Sequence, residues 1–451
     1  MKRFLFSPDV FGSFDFFSNV IVLDRYSSRD SDEIREALLP CGNWDALKYE
    51  RYSPIRSLIR HEATHFLDMT TTRWGIEYLF RKLRLVDAIQ QDADLEERAR
   101  VFMLNTTEIE IHRELLQTST GVLPSECTTL QHYVKYTERF GPVVMLVFKH
   151  RETLAHHVPI SILSVLEAHA TANEYLSQLK DSDLISDSDQ RIVEQARIAQ
   201  DFTSAIDDPE RLEYSALIHL CKIHFSELSF SELLELVVAF ARFSLDAADM
   251  LVASFANRIE ESFQSSYGPL IGMDLRRGMS RQVIFFKTVL LMYGWMTMLS
   301  SGERESHLRL LRLNPRLAID AFLEGAFKID VGLLNHEWDF EKRIEWFENF
   351  RVLPDTEILN ESSILNRSLL HKKSMASFDM SEIMLPDMLL QDDTVITLPN
   401  RISLDILGGF DANLGIYSKL DAVYRERKTS KFHMDPLTAR DTVRGLRNLN
   451  G

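Results

Sequence analysis

The sequence predicts a mainly α protein, α+β in its N-terminal part. Three observations carry this. Helix-forming residues with apolar positions three and four apart dominate most of the chain. Aromatic and β-branched residues cluster near the N-terminus, in residues 14–23, where they predict one or two strands. Composition is 45% hydrophobic and 26% charged, which lets a chain of this kind bury a core. At 451 residues the chain divides on pattern into residues 1–180, a helical region 190–354, and an irregular C-terminal region 355–451.

Taken in order, Ser53-Pro54 announces the first helix. A Ser can cap free N–H groups, and Pro fits the first helical position because its missing N–H is not needed there. Ile55, Leu58, Ile59 and Phe66 mark its buried face. Thr70-Thr71-Thr72 stops it through β-branching and side-chain competition for backbone bonds, with Gly75 just beyond. Helical, heavily charged sequence follows to about Thr118. Pro124, Gly141 and Pro142 punctuate the next part, and the apolar run 143–148 fits a strand or a helix. Pro159 opens a helix through Leu163, Leu166, Ala170 and Leu176. The acidic, Ser-rich stretch 181–189 reads as a surface connection between domains. Residues 190–350 read as successive helices, with a capping box at Ser229-Phe230-Ser231-Glu232 and a strong apolar helix over 280–299. Beyond Pro354 the pattern weakens, residues 394–397 read as a strand, and the tail from Tyr424 turns basic.

The net charge of −16 argues against nucleic acid as the main partner. Cys41, Cys127 and Cys221 form neither a disulfide framework nor a CxxC metal site. The N-terminal apolar run ends at Pro8-Asp9, so no signal-peptide core is expected. No window approaches the length of an uncharged membrane span. The expected location is the cytoplasm, with no membrane partner.

The chemistry concentrates in Arg60-His61-Glu62-Ala63-Thr64-His65, an HExxH string inside a helical run. Residues four apart share a helix face, so His61 and His65 can offer two imidazoles to one metal ion. Glu62 is placed to act as general base on a metal-bound water. The competing reading is two surface histidines on an amphipathic helix with no metal. Two ligands do not complete a catalytic site, and a third must come from elsewhere. Glu167 is the first choice, because Ala168, Ala170 and Ala172 around it permit close helix approach. Glu174, two turns on, is placed to hydrogen-bond a ligating imidazole. Competitors for the third position are His169, Glu77 and the Glu108/Glu110/His112 cluster. Asp68 reads as a support or a surface acid. His336-Glu337 imitates the motif without the second His and reads as a helix start.

These residues resemble the zincin superfamily of HExxH zinc metallopeptidases, and a Glu167 ligand makes the resemblance gluzincin-like. It covers about the first 185 residues, with a helical accessory domain beyond. The segment from His65 to Gly75 also looks similar to bacterial intracellular HExxH proteins of unassigned role. Two departures stand out. About a hundred residues separate His65 from Glu167, and Thr171 stands where gluzincins commonly carry an Asp. The resemblance implies a Zn2+ cofactor, a protein or peptide substrate, and hydrolysis by metal-activated water with Glu62 as base. An oxyanion donor is then expected, with His150, His156, His157, Tyr133 and Tyr175 as candidates. Two rival readings remain. One is a non-enzymatic helical interaction protein with a structural or vestigial metal site. The other is a carboxylate-rich iron site built on Glu108, His112 and Glu167 in a helical bundle.

Overall fold

A computed structural model describes residues 12–402, except 17–18, 40–41, 91–106, 120, 128, 138–139, 152, 264–265, 349–354, 373–377, 379 and 398–400. The basic tail, Cys41, the first eleven residues and Pro354 lie outside the described residues, as do the side chains of Glu108 and Glu110. The fold is mainly helical with a small sheet-containing N-terminal part.

Strands β1 (Ser13–Asp15) and β2 (Val20–Leu23) come first, where the aromatic and β-branched cluster predicts them. Helix α1 (Ser31–Ala37) leads to α2 (Ala46–Thr71), which carries the HExxH string. Helix α2 begins seven residues before Ser53. Asp45 caps it by accepting from the Lys48 N–H at 2.9 Å, and Pro54 sits inside it. Proline costs an interior helix one hydrogen bond. Helix-forming residues on both sides and burial of the helix against its neighbours outweigh that loss.

The helix stops at Thr71, inside the predicted threonine run, where Thr70, Thr71 and Thr72 each bond back to the carbonyl four residues before. Helix α3 (Arg73–Gln90) starts almost at once, so Gly75 lies within a helix rather than in a linker. A Cβ at Gly75 would come within 2.2 Å of the Met69 carbonyl oxygen and 2.3 Å of that of Asp68. Only glycine permits so close a turn between the two helices.

Helix α4 (Thr107–Leu115) precedes an antiparallel meander of β3 (Thr129–Thr137), β4 (Gly141–His150) and β5 (Thr153–Pro159). The run 143–148 is thus strand, with Val134 opposite Val144 and Leu146 opposite Val158. Pro159 closes β5 and does not open a helix. Helix α5 (Ile162–Ser182) is capped instead by Ser161, whose side chain accepts from the Ser164 N–H.

A run of helices follows: α6 (Ser188–Ile206), α7 (Leu212–His224), α8 (Phe230–Asp246), α9 (Asp249–Ser262), α10 (Gly268–Arg276) and α11 (Gln282–Met298). Ser229 and Glu232 form the expected capping box on α8. Then come α12 (Ser301–Leu313), α13 (Pro315–Phe327), the single turn α14 (Val331–Leu334), α15 (Trp338–Glu348) and α16 (Asp355–Lys372). The chain ends among the described residues with β6 (Leu385–Pro386), β7 (Met388–Leu390), β8 (Val395–Ile396) and β9 (Arg401–Ile402).

Strand β7 returns to the N-terminus and pairs parallel with β2, with Ile21 opposite Met388, giving the sheet order β1-β2-β7-β8. One apolar cluster runs from Phe14 through α2, α5, α8 and α11 to Ile396, across the 180/190 and 354/355 divisions drawn on sequence pattern. The stretch 181–189 is not all surface. Asp181 is buried against Arg56, and Ile185 pairs with Trp44 and is 1% exposed. Among the described residues no helix is long and apolar enough to cross a membrane.

Candidate metal centre

Helices α2 and α5 pack against each other, and the site lies between them. Ala63 on α2 and Ala168, Ala170 and Ala172 on α5 are fully buried, so small side chains let the helices close up. Polar pairs set the register. Near one end Arg56 donates from Nε to both Asp181 oxygens, at 3.0 and 3.1 Å. Further along, Glu174 accepts from His61 Nδ1 at 3.0 Å and from the Ser57 hydroxyl at 3.0 Å. Gln178 in turn donates to Ser57 at 2.8 Å.

This chain fixes the His61 ring. With Nδ1–H given to Glu174, Nε2 is the nitrogen that faces Glu167. His61 Nε2 stands 3.5 Å from one Glu167 oxygen and His65 Nε2 stands 3.6 Å from the other. These distances are too long for good hydrogen bonds. Accordingly His61 Nε2, His65 Nε2 and Glu167 Oε1 have no hydrogen-bond partner, although all three are buried. Buried orphan atoms are costly, and three converging on one point fit a shared cation. Metal–ligand bonds of about 2.0–2.1 Å put neighbouring ligand atoms roughly 3.3 Å apart on a tetrahedron. His61, His65 and Glu167 each offer a ligand atom within 4.8 Å of the others, and two imidazoles with one carboxylate suit zinc.

The electrostatics of the two imidazoles diverge. Burial alone lowers the His61 pKa, but Glu167 and Glu174 outweigh it and raise it well above the ordinary value. Burial, with His61 and His169 nearby, pushes the His65 pKa well below the ordinary value. Its ring packs on aromatic side chains, with Phe16 at 5.5 Å and Phe14 stacked at 6.5 Å between centroids. Glu62 is 0% exposed and Glu167 is 2% exposed.

The other candidates lie elsewhere. His169 is buried on α5, and its Nδ1 donates to both Asp68 oxygens, at 2.8 and 3.0 Å. Asp68 is therefore a buried partner and not a surface acid. Glu77 forms surface ion pairs with Arg81 and Arg343, away from the ligand set. His112 bonds through Nε2 to the Ser161 hydroxyl at 2.7 Å and so steadies the cap of α5, while its buried Nδ1 has no hydrogen bond. His336-Glu337 does sit at a helix start, where Glu337 pairs with Arg367.

Among the oxyanion candidates, His156 takes a hydrogen bond from the Ser119 N–H and gives one to the Val122 carbonyl. His150 bonds the Glu126 carbonyl, His157 bonds the Tyr133 hydroxyl, and Tyr175 packs on Phe202. Among the described residues the three histidines do not join the donor cluster.

Sequence reasoning missed the clamp on the end of α2. Arg242 from α8 and Arg367 from α16 both donate to the Thr71 carbonyl oxygen. Arginines at a helix C-terminus satisfy its last carbonyls and suit its dipole. No local sequence signal marks two arginines so far along the chain as partners of Thr71.

The fold and the site together define a class of arrangement: a helical protein in which an HExxH helix and a second helix converge on a buried two-histidine, one-carboxylate donor set. Comparison of the chain with protein-family models, curated proteins and solved structures returned no match, so the residues themselves carry the assignment.

Proposed function

We propose that the chain is a zinc-dependent peptide hydrolase of the zincin kind, gluzincin-like in its third ligand, with selective or regulated activity. The observation that supports this reading is the convergence of His61 Nε2, His65 Nε2 and a Glu167 oxygen, buried and without hydrogen bonds of their own. Zinc held by these three residues supplies Lewis-acid polarisation of a carbonyl and a water acidic at about pH 7. The protein does the rest. Glu62 accepts the proton of the attacking water on its carboxylate and delivers it to the leaving amine. Glu174 keeps His61 in the tautomer that presents Nε2, and the Ser57–Gln178 chain keeps Glu174 in place.

The test is metal analysis and peptide cleavage on one set of variants. Wild type should carry about one zinc per chain, and His65→Ala should lose it. Glu62→Gln should keep the zinc and lose cleavage by at least about a hundredfold. Cleavage retained in Glu62→Gln overturns the assigned base. A chelator should abolish cleavage, and zinc should restore it.

Burial of Glu62 and of all three ligands favours one other reading, a structural metal site in a helical interaction protein. Structural sites are closed and catalytic ones keep an open position. In that case the chelator lowers thermal stability, and no peptide pool is cleaved before or after zinc is restored.

A further inference from the structure

A polypeptide hydrolase needs a way in, and the donor set is sealed. His65 and Glu62 are 0% exposed, Glu167 is 2% and His61 is 4%. On the His65 side the seal is strand β1 and the residue after it. Phe14 and Phe16 rest on the His65 ring, contact each other edge-on at 4.8 Å, and Phe14 also meets Phe66 at 6.3 Å. Just before the strand, Gly12 lies against Leu58 of α2, so this segment runs along the motif helix.

We propose that strand β1 with Phe16 is a latch over the metal centre: seated, it closes the His65 side, and released, it opens that side to metal and substrate. Three features suit the part. The strand is three residues long and forms an edge of its sheet, joined only to β2 among the described residues. Two aromatic rings hold it against His65, and apolar contacts of this kind are non-directional and can break and re-form. The seated state also carries a local cost. Asn19, at the start of β2, holds a left-handed φ of 58°, and both polar atoms of its side-chain amide are buried without a partner. Water reaching that amide on release offsets part of the lost apolar burial. Segments with this balance open locally, well short of global unfolding. The inference deepens the hydrolase reading by naming its regulation, and it rests on that reading only for what opening does to a substrate.

The latch is testable without metal. A Cβ at Gly12 would lie 3.3 Å from Leu58 Cγ, so Gly12→Cys with Leu58→Cys places two thiols within reach of a disulfide. Diethyl pyrocarbonate modifies exposed imidazoles, and peptide mapping reads each histidine separately. In the metal-free full chain, His65 should react at least about tenfold more slowly in the oxidised double variant than in the reduced one. His156, buried on β5 away from the latch, should react at one rate in both. Asn19→Gly, which accepts the left-handed φ and removes the orphan amide, should also slow His65 several-fold. Equal His65 rates in oxidised and reduced protein overturn the latch, as does a His156 rate that falls in step. Cleavage by the zinc-loaded reduced form and not by the oxidised form supports both readings. Gated His65 with cleavage in neither form leaves the latch standing and removes the hydrolase.

Discussion

His61 and His65 differ in what holds them, and that difference orders the site. His61 is pinned through Nδ1 by Glu174, whereas the His65 ring packs on Phe14 and Phe16. Outer carboxylates that orient a ligating histidine are worth about 10–100-fold in metal affinity. Glu174→Ala should therefore weaken zinc binding by about that factor, read by competition with a chromophoric chelator. The HExxH spacing was legible because helix period alone puts His61 and His65 on one face. That Glu167 lies beside them was legible through the alanines flanking it, which permit close approach. The Asp68–His169 pair was not, because partners on two helices come together only once those helices are packed.

The same packing buries Asp181. Burial raises its pKa to about 6, against the pull of Arg56. Between about pH 4 and 6 the folded state keeps a proton that the unfolded chain releases. Stability from this residue is thus full below about pH 4 and is lost as pH rises through 6. Relative to wild type, Asp181→Asn should gain about 2–3 kcal/mol between pH 4 and 6.5, measured by urea unfolding at each pH.

At the scale of elements, the sequence signals that misled were prolines. Pro54 reads as a helix start and Pro159 as another, yet one is inside α2 and the other ends β5. Both errors have one cause. A cap is a local preference of about 1 kcal/mol, and the real caps, Asp45 and Ser161, sit in helices stabilised by tertiary burial. Gly75 carried the opposite lesson. It reads as lying just beyond the end of α2, but it sits inside α3, where the α2–α3 corner leaves no room for a side chain. Gly75→Ala forces a methyl onto backbone carbonyls that cannot yield as a side chain would. It should cost about 3 kcal/mol, the upper end for overpacking, and should also weaken zinc binding, since Asp68 is among the groups displaced. Denaturant titration and the chelator competition read the two effects separately.

Over the whole molecule, α2 is anchored by a buried ion network. Asp246 on α8 accepts from Arg73 and Arg367, and Arg367 also reaches Glu337 and the Thr71 carbonyl. Burial alone would raise the Asp246 pKa, but Arg367, Arg73 and Arg242 outweigh it and hold the carboxylate ionised. Removing one partner of such a network leaves a charge uncompensated, at about 3–5 kcal/mol. Arg367→Met should show that loss in urea and should reduce zinc affinity through the freed end of α2. None of this was legible, because charge pairing over such separations leaves no trace in periodicity. Mainly helical content was legible, since it needs only local pattern.

The parallel pairing of β2 with β7 has a consequence for biosynthesis. Ile21 of β2 must wait for its partner Met388, so the N-terminal sheet stays half-built until the ribosome has passed β7. Helices α8 and α16, which grip the end of α2, also emerge after it, Arg242 lying 171 and Arg367 lying 296 residues beyond Thr71. A nascent chain therefore carries the HExxH helix without the frame that fixes it, and the donor set gains that frame only once α16 and β7 have been made.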